Sequence, residues 1–386
     1  MSVTINKVYM QLALSLAKMG LGFTSPNPMV GAVIVKDGQI IGQGYHQKAG
    51  TPHAEVHALR EAGYKARGAT LYVTLEPCVH FGRTPPCTDA IIQAGIKHVI
   101  IAARDPNPLV AGRGIQKLQD AGITLTVGFM EQEALRLNEV FNKFITTALP
   151  FVVLKSAITL DGKIATAAGH SQWITGEEAR QYGHRLRHQY DAILVGVGTV
   201  IADNPKLTTR LYNTEGKNPI RVILDSTARI PLSSHVLTDN AAETIIAVTP
   251  EAPEERIKAL SATGVKVVVM PSCDGRVDFG ALITELGSRG ITAIFIEGGA
   301  TVNAAALRAN LVDKIHFFIA PKIIGDHAAP GPFASLGINN LEHAVKLSIG
   351  TVEKIGDDLH IEAYVVKEND PCLLDSLRKL ELSKQL

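Results

Sequence analysis

The chain has 386 residues, 46% of them hydrophobic and 19% charged; this length exceeds a single hydrophobic core, and the composition excludes wholesale disorder. Lys and Arg number 38 against 37 Asp and Glu, so the overall charge gives no reason to bind nucleic acid. No apolar window reaches the roughly twenty residues of a membrane span, the N-terminus reads as a helix and not a signal peptide, and four cysteines do not make a disulfide scaffold. A cytoplasmic enzyme of two domains is the expectation.

In chain order, Val8, Leu12, Leu16 and Met19 recur near helical spacing after a possible cap at Thr4. Ser25-Pro26-Asn27-Pro28 breaks that helix. Residues 30–35 and 39–45 flank Lys36-Asp37-Gly38, a hairpin signal. Helices are predicted over 52–62, 87–94, 115–121 and 131–146, and strands over 70–75, 98–103 and 123–129. This alternation predicts an α/β layer arrangement on a mixed sheet. Pro150 ends the last helix, which puts the domain boundary near 147–150.

The second half alternates again. Strands are predicted over 151–159, 192–197, 220–224, 244–248, 265–270, 291–296 and 314–319. Helices are predicted over 177–189, 254–262, 279–288 and 301–309, then an antiparallel strand pair over 345–352 and 359–366. Residues 1–147 carry 14 Lys and Arg against 10 Asp and Glu, whereas the remainder carries 24 against 27. A modestly basic first half suits an anionic small molecule.

The sharpest local signal is His53-Ala54-Glu55, followed by Pro77-Cys78 and then by Cys87. One imidazole and two thiolates leave the fourth position of tetrahedral zinc open for water, as a catalytic site requires. Zinc lowers the pKa of that water toward about 7, and Glu55 is placed to move its proton. A His-x-Glu with a distant Pro-Cys and second Cys is the zinc deaminase signature, in which the glutamate is acid and base but not a ligand. Residues i and i+2 do not share a face in mid-helix, so the motif requires a helix start, which Pro52 supplies. His57 is one turn beyond His53, but the zinc protease pattern needs Glu directly after the first His, where this chain has Ala54. His57 is therefore read as structural or supporting, and Cys273 and Cys372 as non-ligands.

The residues also carry a family resemblance. The stretch from Ser25 to Val33, then His53-Ala54-Glu55, then Glu76 through Cys87 with Gly82-Arg83-Thr84-Pro85-Pro86 in the gap, closely resembles the bifunctional riboflavin biosynthesis deaminase/reductases. The second half is similar as well, at Lys155–Ala165, Ser171–Gly176, Val195–Thr199 with Asp203-Asn204-Pro205, and Glu297-Gly298-Gly299. The resemblance implies an N-terminal cytidine-deaminase-like three-layer domain over 1–147 and a C-terminal dihydrofolate-reductase-like domain over 148–368. Residues 369–386 form a tail outside it. It implies zinc-dependent deamination of a ribosylaminopyrimidinone 5′-phosphate, then NADPH-dependent reduction of the ribosyl to a ribityl chain.

Carried onto these positions, the resemblance implies that His53, Cys78 and Cys87 hold Zn2+ and Glu55 moves the proton. It implies that Asn27 and Arg83 contact the first substrate. Ser171, Arg187, Leu207, Arg210 and Glu297 then belong with the sugar-phosphate substrate of the second domain. Ala157, Trp173, Thr199, Asp203, Ser226 and the run Gly299, Ala300, Thr301, Val302, Asn303 belong with NADPH. Two features of the residues agree: an arginine pair can clamp a phosphate, and Gly298-Gly299 at a strand end before a helix can seat a cofactor phosphate. Arg185 and Arg187 alternate in a helix, so only one of them can face a site. Lys155 and Asp161 receive no catalytic role, because the cofactor carries hydride chemistry.

The expected partners are small phosphorylated pyrimidines, with no nucleic acid and no membrane, and a homo-oligomer (dimer or tetramer) by resemblance. Three other readings stay open at this point. A deaminase whose second domain serves only for binding or assembly would not consume NADPH. A nucleic-acid deaminase is disfavoured by the near-zero charge and the long gap between Cys78 and Cys87. A zinc-binding assembly protein without catalysis is disfavoured by the open ligand position and Glu55.

Overall fold

The structure is a computed structural model that describes residues 5–79, 85–212, 214 and 216–367. Its contacts divide the chain after Pro150, with Gly287–Thr292 grouping with the first unit.

The first unit runs α1 (Lys7–Lys18), β1 (Gly31–Lys36), β2 (Gln39–Tyr45), α2 (Ala54–Ala62), β3 (Thr70–Leu75), α3 (Cys87–Gln93), β4 (His98–Ala103), α4 (Arg113–Asp120), β5 (Thr124–Val127), α5 (Glu131–Leu137) and α6 (Glu139–Thr147). In α1, Met10, Ala13, Leu14 and Ala17 form the buried stripe of an amphipathic helix. Its cap is Asn6, whose side chain accepts from the Val8 N–H; Thr4 lies outside the described residues. Asp37 and Gly38 both take positive φ between β1 and β2, as a two-residue turn of the primed type requires.

The sheet order is β2-β1-β3-β4-β5. β1 pairs antiparallel with β2 and β3, whereas β3, β4 and β5 run parallel. α1 and α5 pack on one face, and α2, α3 and α4 on the other, giving the expected three layers. A Cβ on Gly42 would sit 2.2 Å from the Ala58 carbonyl oxygen, and one on Gly44 2.5 Å from the His57 Cβ. These two glycines let α2 lie directly on β2.

The single helix predicted over 131–146 is two, broken at Asn138 (φ −108°, ψ 25°). The cause is tertiary. The Asn138 side chain accepts from the Met29 N–H at 2.8 Å and donates to the Met29 carbonyl at 2.9 Å. That pairing fixes the residue outside helical geometry and ties α5–α6 to the loop before β1.

The second unit runs β6 (Phe151–Thr159), α7 (Glu177–Gln189), β7 (Ala192–Gly196), α8 (Val197–Asp203), β8 (Ile220–Leu224), α9 (His235–Thr238), β9 (Thr244–Val248), α10 (Glu254–Ser261), β10 (Lys266–Val269), β11 (Ser272–Cys273), β12 (Arg276–Val277), α11 (Phe279–Ser288), β13 (Ala293–Ile296), α12 (Ala300–Arg308), β14 (Lys314–Ala320), β15 (Leu347–Ile355) and β16 (Asp358–Val365). The main sheet has the order β10-β9-β8-β7-β13-β6-β14-β16-β15. Its strands are parallel from β10 through β14, and β16 and β15 close the edge antiparallel. β9 and β13 are buried throughout, which is why they read as unbroken apolar runs.

Two expectations shift here. The short helices α8 and α9 and the β11–β12 ribbon were not predicted. The strand predicted over 345–352 runs from Leu347 to Ile355. Glu353 and Lys354 look like loop residues in the sequence, but an edge strand with a solvated face takes charges readily. The tail 369–386 lies outside the described residues.

Candidate functional site

The first site is built where α2, α3 and the end of β3 converge. His53 is the N-cap of α2, in extended geometry, and Cys87 is the first residue of α3 after Pro86. Cys78 follows β3 and is held by two bonds into α3. Its carbonyl accepts from the Thr88 N–H and the Thr88 hydroxyl, both at 3.2 Å.

His53 Nδ1 is 3.2 Å from Cys87 Sγ and 3.6 Å from Cys78 Sγ. All three donor atoms lie within 4.8 Å of one another. A tetrahedral zinc with bonds of about 2.1 Å to nitrogen and 2.3 Å to sulfur separates such donors by about 3.5 Å. The set therefore fits Zn2+. The Cys87 thiol and the His53 ring hydrogen-bond Cys78 and bring its thiol down to about 4 in spite of burial. The thiolate so favoured is the metal-binding form. His57 remains outside the donor set, with its Nε2 buried and without a hydrogen-bond partner among the described residues.

Glu55 is 3% exposed. Burial raises its carboxyl to about 7, against the opposing pull of the neighbouring His53 charge. A carboxyl poised there exchanges its proton readily near neutral pH. A cavity of about 480 Å³ opens onto it, lined by Asn27, His46, His53, Glu55, Cys78 and Asn107 among others.

Two residues that brace this site, His46 and Glu76, were among those that escaped the sequence reading. His46 Nε2 is 3.1 Å from Asn27 Nδ2, and its Nδ1 is 3.3 Å from the Pro52 carbonyl. The amide therefore donates to a neutral ring whose proton sits on Nδ1. Burial lowers the His46 pKa and supports that form. The ring packs edge-on against His53 at 5.3 Å, so His46 links Asn27 to the start of α2. Glu76 is also buried, and its carboxylate accepts from the backbone N–H groups of Asp105, Gly112, Gly114 and Ile115. It anchors the cavity wall at the start of α4. Its only sequence signal was its place before Pro77-Cys78. Arg83, expected near the substrate, lies outside the described residues.

The second site gathers at the carboxyl ends of parallel strands, as such sheets dictate. Glu297 follows β13, and Arg187 reaches it from α7. Nε and Nη2 of Arg187 donate to its two carboxylate oxygens at 2.7 and 2.8 Å. Burial would raise the Glu297 carboxyl, but the Arg187 charge and hydrogen bonds overcome it and hold it at about 2. Arg187 Nη1 also donates to the Thr208 carbonyl at 3.0 Å, and Arg210 Nη1 to the Thr208 hydroxyl at 3.3 Å. Leu207 is buried with φ +53°. Of the paired arginines in α7, Arg187 faces this site while Arg185 stacks over Tyr182, its charge 4.8 Å from the ring centre.

Lys155, set aside in the sequence, shares this pocket of charge. Burial lowers its pKa and the Glu297 charge opposes that shift. Asp161 serves the chain instead, accepting from the Thr159 hydroxyl and from the N–H groups of Ile324 and Gly325.

The residues expected near the cofactor spread along the same strand ends. Ala157 is on β6 and Thr199 and Asp203 are in α8. Ser226 follows β8, and its hydroxyl accepts from the Val277 N–H at 3.1 Å. Trp173 is 63% exposed, with Arg180 stacked at 4.7 Å. Ser171 is half-buried near it in sequence. Gly299 caps α12 and Ala300 and Thr301 begin it. Val302 and Asn303 turn inward and are buried; a Cβ on Gly298 would lie 2.7 Å from Val302, and Asn303 Nδ2 donates to the Pro332 carbonyl.

Comparison with known proteins agrees with both halves. Residues 3–103 match the cytidine and deoxycytidylate deaminase zinc-binding region, and residues 150–361 match the RibD C-terminal domain. The chain is 50% identical to the riboflavin biosynthesis protein RibD of Aquifex aeolicus, over 92% of this chain and 98% of that one. It is 44% identical to the Escherichia coli protein of the same name, at the same coverage of each. Among solved structures, Acinetobacter baumannii RibD superimposes with a TM-score of 0.84 at 40% identity, covering 93% of this chain and 98% of that one. A Thermotoga maritima diaminohydroxyphosphoribosylaminopyrimidine deaminase/5-amino-6-(5-phosphoribosylamino)uracil reductase gives 0.81 at the same identity and coverage.

Proposed function

The chain belongs to the RibD family and is a bifunctional deaminase and reductase of riboflavin biosynthesis that uses zinc and NADPH, and from that premise we propose how its residues divide the two reactions. Deamination is assigned to residues 1–147 and reduction to 148–368. The observation that carries the first assignment is the His53, Cys78, Cys87 donor set with buried Glu55 beside it in one cavity.

The first substrate is 2,5-diamino-6-ribosylamino-4(3H)-pyrimidinone 5′-phosphate. Bound by His53, Cys78 and Cys87, zinc supplies an acidified water at neutral pH. Glu55, buried beside the donor set, would hold the proton that hydrolysis releases and return it to the departing amine, which leaves as ammonia. Asn27 orients the ring, itself held by His46. Arg83 remains the candidate for this substrate's phosphate.

The deaminated product is then reduced to 5-amino-6-ribitylaminouracil 5′-phosphate. NADPH, when bound, supplies the hydride. Ala157, Trp173, Thr199, Asp203, Ser226 and the backbone from Gly299 to Asn303 hold it. Ser171, Leu207, Arg210 and the Arg187–Glu297 pair hold the sugar phosphate. The ion pair leaves Arg187 little freedom, so Arg210, which is exposed, makes the principal phosphate contact.

Assaying the half-reactions separately tests this division. Glu55→Gln is expected to abolish ammonia release while the variant still oxidises NADPH with the deaminated substrate. Loss of both activities at once, with the protein folded, overturns it. No helix among the described residues is long and apolar enough to cross a membrane; our reading is of a cytoplasmic enzyme acting on small phosphorylated pyrimidines. Self-association as a dimer or tetramer is part of the same reading. It is supported by edge strand β15, where Ile349 and Val352 are more than half exposed, and sedimentation measures it directly.

A further inference from the structure

One buried side chain beside the second site has no part in the reaction as assigned. His184 lies one turn before Arg187 on the same face of α7 and is 9% exposed. Its Nδ1 accepts the backbone N–H of Arg210 at 3.3 Å. An accepting Nδ1 carries no proton, so the ring is neutral with its hydrogen on Nε2. Burial, then the charges of Arg187 and Arg210, bring the His184 pKa down to about 4 and maintain that form at neutral pH.

The segment that His184 clips is fixed residue by residue. Leu207 is buried in left-handed geometry. Thr208 is held by Arg187 through its carbonyl and by Arg210 through its hydroxyl. Thr209 donates its N–H to Asn218 Oδ1 at 2.9 Å and its hydroxyl to the Lys217 carbonyl at 2.8 Å. Arg210 is the last of the four, and its backbone is tied to α7 through His184. The imidazole also stands among the Arg187, Arg210 and Glu297 charges without adding a third cation to that cluster.

We propose that His184 is a positioning residue of the reductase: as a neutral acceptor it anchors the backbone of Arg210, so that the exposed guanidinium is pre-set for the phosphate of the ribosylaminouracil substrate. The inference rests on the assignment of Arg210 to that phosphate.

The test uses the full-length zinc-loaded enzyme and the deaminated 5′-phosphate substrate. Asn places an amide oxygen where Nδ1 stands, whereas Gln places it near Nε2 and Ala removes it. His184→Ala and His184→Gln are expected to raise the KM for this substrate about 5- to 20-fold, the scale of one lost and partly compensated hydrogen bond. In both, kcat and the KM for NADPH change little, and His184→Asn stays within about twofold of the parent. In an Arg210→Ala background the effect of His184→Ala disappears, because a positioning residue has nothing left to position.

The outcomes separate cleanly. If Arg210→Ala leaves the substrate KM unchanged, the phosphate assignment fails and the inference falls with it. If Arg210→Ala raises KM but His184→Ala and His184→Gln do not, or their effects simply add to that of Arg210→Ala, the assignment stands and the role of His184 is overturned. Should the Ala variant fail to fold, seen as a lost NADPH KM, the Asn and Gln pair decides. Rescue by Asn and not by Gln supports positioning, and equal behaviour of the two refutes it.

Discussion

The two active regions are assembled by opposite strategies. The zinc set lies between His53 and Cys87, at two helix starts and one strand end that are close neighbours in the chain. The residues assigned to the reductase run from Lys155 to Asn303 and come from strand β6, from α7, α8 and α12, and from the loops between elements. In the first, a local spelling carries the chemistry, because donor geometry demands particular residue types at short range. In the second, the sheet brings together residues that individually look ordinary. The first site should therefore fail residue by residue, whereas the second should fail together with its fold.

Removing a donor is the harshest test of that contrast. Cys87→Ala is expected to lose bound zinc and all deamination, while NADPH oxidation with the deaminated substrate continues. Metal content and the two assays, run on one preparation, measure it. A reductase that dies along with the zinc site would break the comparison.

Glu55→Gln comes next. It should keep zinc and lose about 10²–10⁴ in deamination rate. Retained turnover with zinc in place would remove Glu55 from its role.

In the second unit, Glu297→Ala leaves the Arg187 guanidinium, only 15% exposed, without its partner. About 3–5 kcal/mol of stability should go with it, read as an earlier unfolding transition in denaturant, and the reductase should fail in step. The pH dependence has a definite sign. The folded Glu297 pKa of about 2 lies below its ordinary 4.5, so its stabilisation is complete above about pH 4.5 and is lost as pH falls toward 2. Acid denaturation of the parent should carry this contribution, and that of Glu297→Ala should not.

Asn138→Ala is the mildest change. Two hydrogen bonds to Met29 disappear, for a cost of about 1 kcal/mol each, visible as a small fall in the melting temperature with zinc retained. An unchanged melting temperature would show that the break between α5 and α6 does not depend on that pairing.

Much of this was legible in advance, for identifiable reasons. The α/β alternation, the Asp37-Gly38 turn and the apolar runs of β9 and β13 follow from periodicity and turn chemistry, which act over a few residues. His53, Glu55, Cys78 and Cys87 were readable because metal geometry leaves few spellings. His46 and Glu76 were not, since a lone histidine or glutamate carries no mark of what it will touch. Asn138 looked like one residue within a helix, because its partner Met29 is 109 positions away.

By itself, the sequence determined that this chain holds a hydrolytic zinc site followed by a second α/β unit. It could do so because the donor set and the strand and helix periods are short-range constraints. The tertiary structure alone decided that Arg187 commits its guanidinium to Glu297, that Val302 and Asn303 turn inward, and that His184 fastens Arg210. Those are pairings across the sheet and its covering helices. The energy of burying charge and of satisfying each N–H depends on neighbours that only folding supplies.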